Sequence, residues 1–546
     1  MIGETLLLLL ALNAMTSTLP SSLAIDDYYV DQATGNDSTG TGTSESPWKT
    51  ITHALTQARQ VGDRVFVRPG TYDSLQGEVF PLVPASGVDL ISTNGPEVTR
   101  IHGEPSQAVV SIQNTLFFVS TEIQGFSIEN GSDGIAVHDT SGAYFVTLTN
   151  NTITKNTRAG VYTGTRLGSE GGNIVGCRIA ENRWGFYDYA QTGNGGWNIR
   201  DSAIVDNTSH GVVIKTPPAP VFWPPSESFR VERSTISNNG GIGWTQKIEP
   251  FIKAGSDVTL LNSTISGNAG GGLYTRADYY WYYIPYWGYQ CFDPEARIDV
   301  TLSTVANNGG FGGAMRAGTS YRSNGSLGLS IAWGNSGLDN VNFYPVRSDI
   351  GTGFKSGLGV FSEDPRFIDS GGGDFRLRSS SPCIDRRPLP GTNGLDFEGE
   401  QRGYDGDGNG ENQDDVGADE FRTLVFPGTV PLSGQPFWFE AQAPPTEDGH
   451  LVAVLLSRSK AGPGGGIPVP GSGGRTADLE ADSLFAFGLG NLPFLQATFA
   501  NQKALTPPSN LPGAGFAHPI FYAGVSLDLT GGQIVSITPT HSFVIQ

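Results

Sequence analysis

The sequence predicts an all-β protein organised as a single-stranded parallel β-helix followed by a small antiparallel β-sandwich. Three observations predict it. One short motif recurs seven times, with its central apolar positions Ile128, Ile153, Ile179, Ile204, Ile236, Ile265 and Val305 at intervals of 25, 26, 25, 32, 29 and 40 residues. Gly supplies 75 of the 546 residues while only 16% are charged, a balance that favours strands and turns over helical bundles. After Phe421 the motif ceases, and alternating apolar and polar runs separated by turn signals take its place.

In chain order, residues 1–24 read as a signal peptide: an apolar run from Leu6 to Leu12 is too short to span a bilayer and leads into small residues ending Ser22-Leu23-Ala24. The mature chain is thus expected to be exported and not transmembrane. Residues 25–110 form an N-terminal capping segment with the first coils, and residues 111–360 carry the repeats. Each repeat, as in TITKNTRAGVYT or STISGNAGGGLYT, joins a short apolar strand, an Asn at a corner, a Gly where the chain turns and a second strand. One such unit cannot bury its inner face. Stacked units can, with each strand hydrogen-bonded to its equivalents above and below and the Asn residues laddered along the axis. A period near 25 is too long for hexapeptide helices and lacks the leucine-rich and propeller-blade patterns. The longer intervals are insertions: the Pro-rich TPPAPVFWPPSES after Lys215, and RADYYWYYIPYWGYQC, which holds eight aromatic residues between Tyr279 and Tyr289. Residues 361–421 form an end-piece with an acidic loop, and residues 422–546 an accessory β-sandwich-like domain.

Three segments carry a family resemblance. YYVDQATGNDSTGTGTSESPWKTITHAL with DRVFVRPGTYD, the repeats from about Ser111 to Trp333, and EDPRFIDSGGGDFRLRSSSPCIDR continuing to DVGADEF together resemble right-handed parallel β-helix proteins, related in architecture to pectate lyases and seen among exported and surface-attached bacterial proteins. The resemblance implies a right-handed coil, a cap with a short helix around Ile51 to Ala58, and an extracellular location. It implies fold far more than activity.

Aligning the repeats on Gly134, Gly160, Gly185, Gly211, Gly243 and Gly272 predicts columns of side chains. The next residue is apolar each time (Ile135, Val161, Phe186, Val212, Trp244, Leu273) and should face the lumen. Alternation then sends Tyr162, Tyr187 and Tyr274 outward in one column, and His138, Tyr189, Lys215, Lys247 and Arg276 in the next, as one strip roughly 25 Å long at about 4.8 Å per coil. Rings offer apolar faces to sugars, and Lys and Arg donate to carboxylate or sulfate groups. The strip therefore predicts an extracellular, acidic polysaccharide as partner, contacted by Tyr162, Tyr187, Tyr189, Tyr274 and Arg276, with Tyr280, Trp281, Tyr283 and Trp287 forming a wall above it. The alternatives are an aromatic loop folded onto the flank of the solenoid, or a protein interface.

Whether the chain is also an enzyme stays open in the sequence. As a polysaccharide lyase acting by β-elimination, it would draw a base from Lys215, Lys247 or Arg276, a proton relay from Tyr187 or Tyr189, and a carboxylate from Asp188, although Asp188 falls in an inward position. Glycoside hydrolysis is disfavoured: the Gly-His-Gly and Arg-x-Lys pattern of polygalacturonase-like proteins is only half matched by Ser209-His210-Gly211, and the Asp-Asp pairs lie outside the coils. In YDGDGNGENQDD, the residues Asp405, Asp407, Asn409 and Gly410 reproduce the first half of a calcium loop, with Asp414 or Asp415 needed to close it because Val416 stands where a Glu is expected. A structural calcium ion is the cofactor this implies. The net charge of −20 argues against nucleic acid. Cys177, Cys291 and Cys383 show no metal-binding spacing, and the sequence leaves open whether two of them pair.

Overall fold

The computed structural model describes residues 26–113, 119–138, 144–164, 170–189, 194–216, 226–248, 255–277, 280–284, 288–292, 295–317, 323–386 and 394–422, and beyond these 424–427, 439–447, 450–457, 467–468, 476–477, 496–499, 503–506, 520–528, 533–538 and 541–543. The signal-peptide reading and the Pro-rich arm fall outside them. The chain divides into two compact units, one comprising 1–259, 265–298 and 314–325, the other 260–264, 299–313 and 326–546.

The first unit is a right-handed parallel β-helix. Its first sheet runs through Asp27–Val30, Arg64–Val67, Asp89–Ser92, Val119–Gln124, Tyr144–Thr149, Glu170–Val175, Asn194–Arg200 and Ser226–Glu232. The second sheet runs from Gly70–Tyr72 through Thr99–His102, Ser127–Glu129, Thr152–Thr154, Arg178–Ala180 and Ala203–Val205 to Thr235–Ser237. The third runs through Val110–Ile112, Asp133–His138, Ala159–Gly164, Trp184–Asp188, Val212–Thr216, Ile242–Ile248 and Gly271–Ala277. The strands within each of these sheets pair in parallel, and Ile128, Ile153, Ile179, Ile204 and Ile236 stand in one register column. All five are fully buried.

The expected Asn ladder is present. Asn156, Asn182, Asn207 and Asn239 each donate a backbone N–H to the side-chain oxygen of the Asn one coil on, ending at Asn268. The residue just before each Asn takes a left-handed conformation, even where it is Lys155, Glu181 or Asp206. That strain, of order 1 kcal/mol per residue, is the cost of aiming the Asn into the lumen. A parallel ladder joins Asn151, Cys177, Ser202 and Ser234 through N–H to Sγ or Oγ bonds. Cys177 thus serves as a polar rung, and like Cys383 it is an unbridged, buried thiol.

The turn glycines have a different cause from the one the sequence implies. Gly185 does not need a left-handed φ. A Cβ there would lie 2.3 Å from Ile204 Cγ2 and 2.6 Å from the Gly211 carbonyl oxygen, so the position is fixed by the close approach of the next coil.

The N-terminal cap contains the expected helix, Ile51–Gln57, started by Thr50, whose hydroxyl accepts from His53 N–H. The buried Glu78 carboxylate accepts from the N–H groups of Ile51 and Thr52 at 2.7 and 2.8 Å, satisfying donors that a helix start leaves orphaned.

In the second unit, Ser263, Ser303, Ser330 and Ser348 continue the same kind of hydroxyl ladder. The end-piece packs Ile368, Leu377, Cys383, Ile384, Val416 and Phe421 against Ile331. Around them lies a buried polar knot: Arg402, fully inaccessible, pairs with Glu420 at 3.3 Å and donates to the carbonyls of Gly417 and Ala418. The C-terminal strands form two antiparallel sheets, Leu424–Pro427 with Phe439–Gln442 and Lys503–Leu505, and Gln496–Thr498 with Leu451–Ser457, Ile520–Asp528, Gln533–Ile537 and His541–Phe543. The buried rings of Phe439 and Tyr522 join them, with centroids 5.1 Å apart. A further antiparallel pair joins Ile467–Pro468 to Thr476–Ala477.

Asp349 makes the stability of this unit pH-dependent. It is fully buried, accepts from Glu363 N–H and lies 3.6 Å from Cys383 Sγ. Burial pushes its carboxyl up from 3.8 to about 7. A carboxyl raised in the folded state favours the protonated form, so its contribution is complete below about pH 4 and is lost as pH rises through about 7. From pH 5 to pH 8, thermal denaturation should show Asp349→Asn losing about 2–4 kcal/mol less stability than the native chain, in which other carboxyls raised by burial, Asp385 and Glu420 among them, add to the loss.

Candidate functional site on the third sheet

Registry places the predicted columns as counted. Ile135, Val161, Phe186, Val212, Trp244 and Leu273 align and are fully buried. Two residues on, in the next inward column, Thr163 stands beside Asp188, which is 2% exposed and accepts the Thr163 hydroxyl. Asp188 therefore lies beneath the outer face and does not join the strip; its carboxylate is held by a lumen-side hydroxyl, the arrangement a buried polar group requires.

Outward-facing Tyr162 and Tyr187 are register partners, and both are half-buried. Their ring centroids lie 6.0 Å apart with planes inclined by 20°, and Tyr189 continues the series at 6.4 Å and 23° from Tyr187. Rings at that spacing are offset, each leaving part of its surface to solvent. Tyr162 leans along its strand over Gly164, where a Cβ would meet the phenol oxygen at 2.4 Å. Gly164 is thus the gap in the second outward column that gives the ring room.

Further members of the cluster escape a count that starts after the turn glycine. Trp184, on the residue before Gly185, packs 4.7 Å from Tyr187, with the Arg183 guanidinium 4.4 Å from its own ring centre. The Arg158 guanidinium sits 4.1 Å over Tyr162 and is anchored by its ion pair to Asp133, itself 2% exposed. The His138 ring lies 6.1 Å from that of Tyr162. The signal in the sequence is the basic and aromatic character of the residues just before the turn glycines, RAG and RWG.

The electrostatics fit a neutral, hydrogen-bonding platform. Burial raises the phenol pKa values of Tyr162 and Tyr187, so both hydroxyls stay protonated at neutral pH. Burial lowers that of His138, leaving the imidazole uncharged there. The Asp133 hydrogen bond raises the Arg158 pKa and fixes its charge.

Beyond Tyr187 the strip departs from expectation. Val213 and Thr245 occupy the ring column in the next two coils, so Tyr274 is three coil steps away, about 14 Å. Within the predicted strip of rings and cations, the rings Tyr162, Tyr187 and Tyr189 form a compact cluster and Tyr274 stands apart from it. The cationic column does align, with Lys215, Lys247 and Arg276 in successive register and each half-buried. Past Arg276 the aromatic insertion forms an antiparallel hairpin, Tyr280–Ile284 with Gly288–Phe292, in which Trp281 pairs with Cys291 and Tyr283 with Tyr289. Tyr279 and Trp287 lie outside the described residues.

The calcium-loop residues Asp405, Asp407 and Asn409 fold as a tight turn, with Asn409 N–H shared between Asp405 Oδ1 and Asp407 Oδ1, and Gly410 N–H donating to Asp405 Oδ2. Asp414 and Asp415 do not close this loop. Both are buried, and Asp415 instead accepts the N–H groups of Asp385 and Phe421. The carboxylate that joins Asp405 and Asp407 is Asp385.

Residues 33–240 match a family model described as a protein of unknown function (DUF1565). No curated protein matches the chain. Among solved structures, the chain is similar to a tailspike protein gp49 from Acinetobacter baumannii bacteriophage Fri1, a capsular polysaccharide depolymerase, at 10% identity and TM-score 0.37, covering 94% of this chain and 86% of that one. It is also similar to the GH136 lacto-N-biosidase of Eubacterium ramulus, at 12% identity and TM-score 0.34 over 57% of this chain and 68% of that one. The A-module of the Azotobacter vinelandii mannuronan C-5 epimerase AlgE6 gives 15% identity and TM-score 0.29 over 58% and 94%. At these scores the likenesses bear on neither site nor substrate. The fold stands on the strand registers. Among the described residues no helix is long and apolar enough to cross a membrane.

Proposed function

We propose that the chain binds an extracellular acidic polysaccharide along the outer face of the third sheet, with the Tyr162, Tyr187, Tyr189 and Trp184 cluster as platform. One observation carries this reading: four half-buried rings meet on an outer face of a parallel sheet, where simple solubility asks for none. Sugar rings pack their C–H faces on such surfaces, and protonated phenols donate to their oxygens. The column of Lys215, Lys247 and Arg276 adds basic groups for carboxylates or sulfates in coils next to the rings. Burial of Asp188 withdraws the carboxylate that β-elimination would place beside the strip, so binding is favoured over lyase action.

The test is a panel of uronans, sulfated glycans and neutral glucans, measured by affinity electrophoresis while the absorbance of newly formed double bonds is followed. Retention by acidic glycans, weakening as salt is raised and without new absorbance, is expected. Absence of retention by every glycan overturns the proposal, and turnover of a uronan replaces it with the lyase reading.

A further inference from the structure

The end-piece holds three carboxylates that are distant in sequence and together in space. One carboxylate oxygen each from Asp385, Asp405 and Asp407 lies within 4.8 Å of the other two. At that separation each pair of negative charges repels by about 1 kcal/mol even in water. An acidic cluster on a surface is common and says little by itself. The donor inventory says more. Both oxygens of Asp405 and both of Asp407 accept hydrogen bonds, from Asn409 and Gly410. Asp385 Oδ2 accepts from Asp407 N–H at 2.8 Å. Asp385 Oδ1 is buried and has no hydrogen-bond partner, and the residue as a whole is 9% exposed. A buried carboxylate oxygen without a donor is destabilising unless the carboxyl takes up a proton or a cation occupies the place of the donor.

We infer that Asp385, Asp405 and Asp407 form a binding site for a divalent cation of the calcium type. The donors are all oxygens, which selects hard cations over zinc or copper. The left-handed Gly408 and Gly410 let the chain bend around the carboxylates, as a loop that accommodates the 6–8 ligands of calcium requires. Asp385 follows the buried Cys383 and Ile384 of the end-piece core, so an ion here ties the acidic loop to that core. The role of the ion is structural.

The experiment titrates chelator-treated full-length protein with calcium, following heat of binding and the thermal unfolding midpoint. One ion per chain is expected, with a midpoint rise of roughly 5–10 °C at a calcium concentration about a hundredfold above Kd. Magnesium should give a smaller rise, because it keeps its waters. Asp385→Asn retains the acceptor for Asp407 N–H and should weaken calcium binding at least tenfold; Asp407→Asn, at an exposed position, should do the same without disturbing the core. Absence of calcium binding by the native chain, or binding unchanged in both variants, overturns the inference.

Discussion

Asn207→Leu is expected to destabilise the β-helix by about 4 kcal/mol or more, the largest effect of any single substitution considered, because leucine matches the volume but none of the bonds. Asn207 is 1% exposed. Its Nδ2 donates to the carbonyls of Ile179 and Val205 at 3.2 and 3.1 Å and to Asn239 Oδ1 at 2.9 Å, while its Oδ1 accepts from Asn182 N–H at 3.1 Å. Leucine removes the acceptor of the Asn182 N–H and the side-chain donor to the carbonyls of Ile179 and Val205, while Asn239 Oδ1 keeps only the Asn207 backbone N–H; a buried polar group left unsatisfied costs about 1–3 kcal/mol. The neighbouring coils are held in place by the same ladder, so relaxation cannot restore the partners without breaking registry. Chemical denaturation of the variant measures the effect. Asn198→Ala is the matched control: Asn198 bonds across coils to Asn173 in the same manner but on the exposed face. Its cost should stay within about 0.5 kcal/mol.

Tyr187→Ala is expected to lower affinity for the acidic glycan by about 10–100-fold while leaving the unfolding midpoint nearly unchanged. Tyr187 is the hub of the ring cluster, in contact with Tyr162, Tyr189 and Trp184. Removing it takes away apolar surface for a sugar and loosens the three rings it touches, a loss of about 1.4–2.8 kcal/mol in binding. The backbone keeps its ladder bonds and the ring is only half-buried, so stability should change little. Titration calorimetry with the glycan that the panel selects separates the two quantities. Tyr187→Phe should retain most of the affinity, since it keeps the ring and loses only the hydroxyl.

Much of this was legible in the sequence because a solenoid turns spacing into position. Once the repeats are aligned on their turn glycines, the lumen column from Ile135 to Leu273 and the outward columns follow by alternation, and the strand registers place them so. What spacing conveys is which residues share a column; it says nothing of how far a long side chain reaches. Arg158 precedes its strand and Trp184 opens one, yet guanidinium and indole reach the rings of Tyr162 and Tyr187. Val213 and Thr245, equally visible in the sequence, show that the ring column is interrupted. The acidic loop teaches the converse. A linear calcium-loop pattern seeks its last ligand downstream, and so points to Asp414 and Asp415, whereas tertiary folding buries both and brings in Asp385 from the other side of the loop. The turn glycines were located correctly but for a reason of backbone angle, when contact with the following coil decides them.

The most direct measurement is a crystal structure of the protein with an oligosaccharide of the glycan it retains. The ligand is predicted to lie on the outer face of the third sheet, with at least one sugar ring packed on Tyr162, Tyr187 or Trp184 and an acidic group toward Lys215 or Lys247. Density for the sugar elsewhere, with the ring cluster bare, would contradict the assignment of this face.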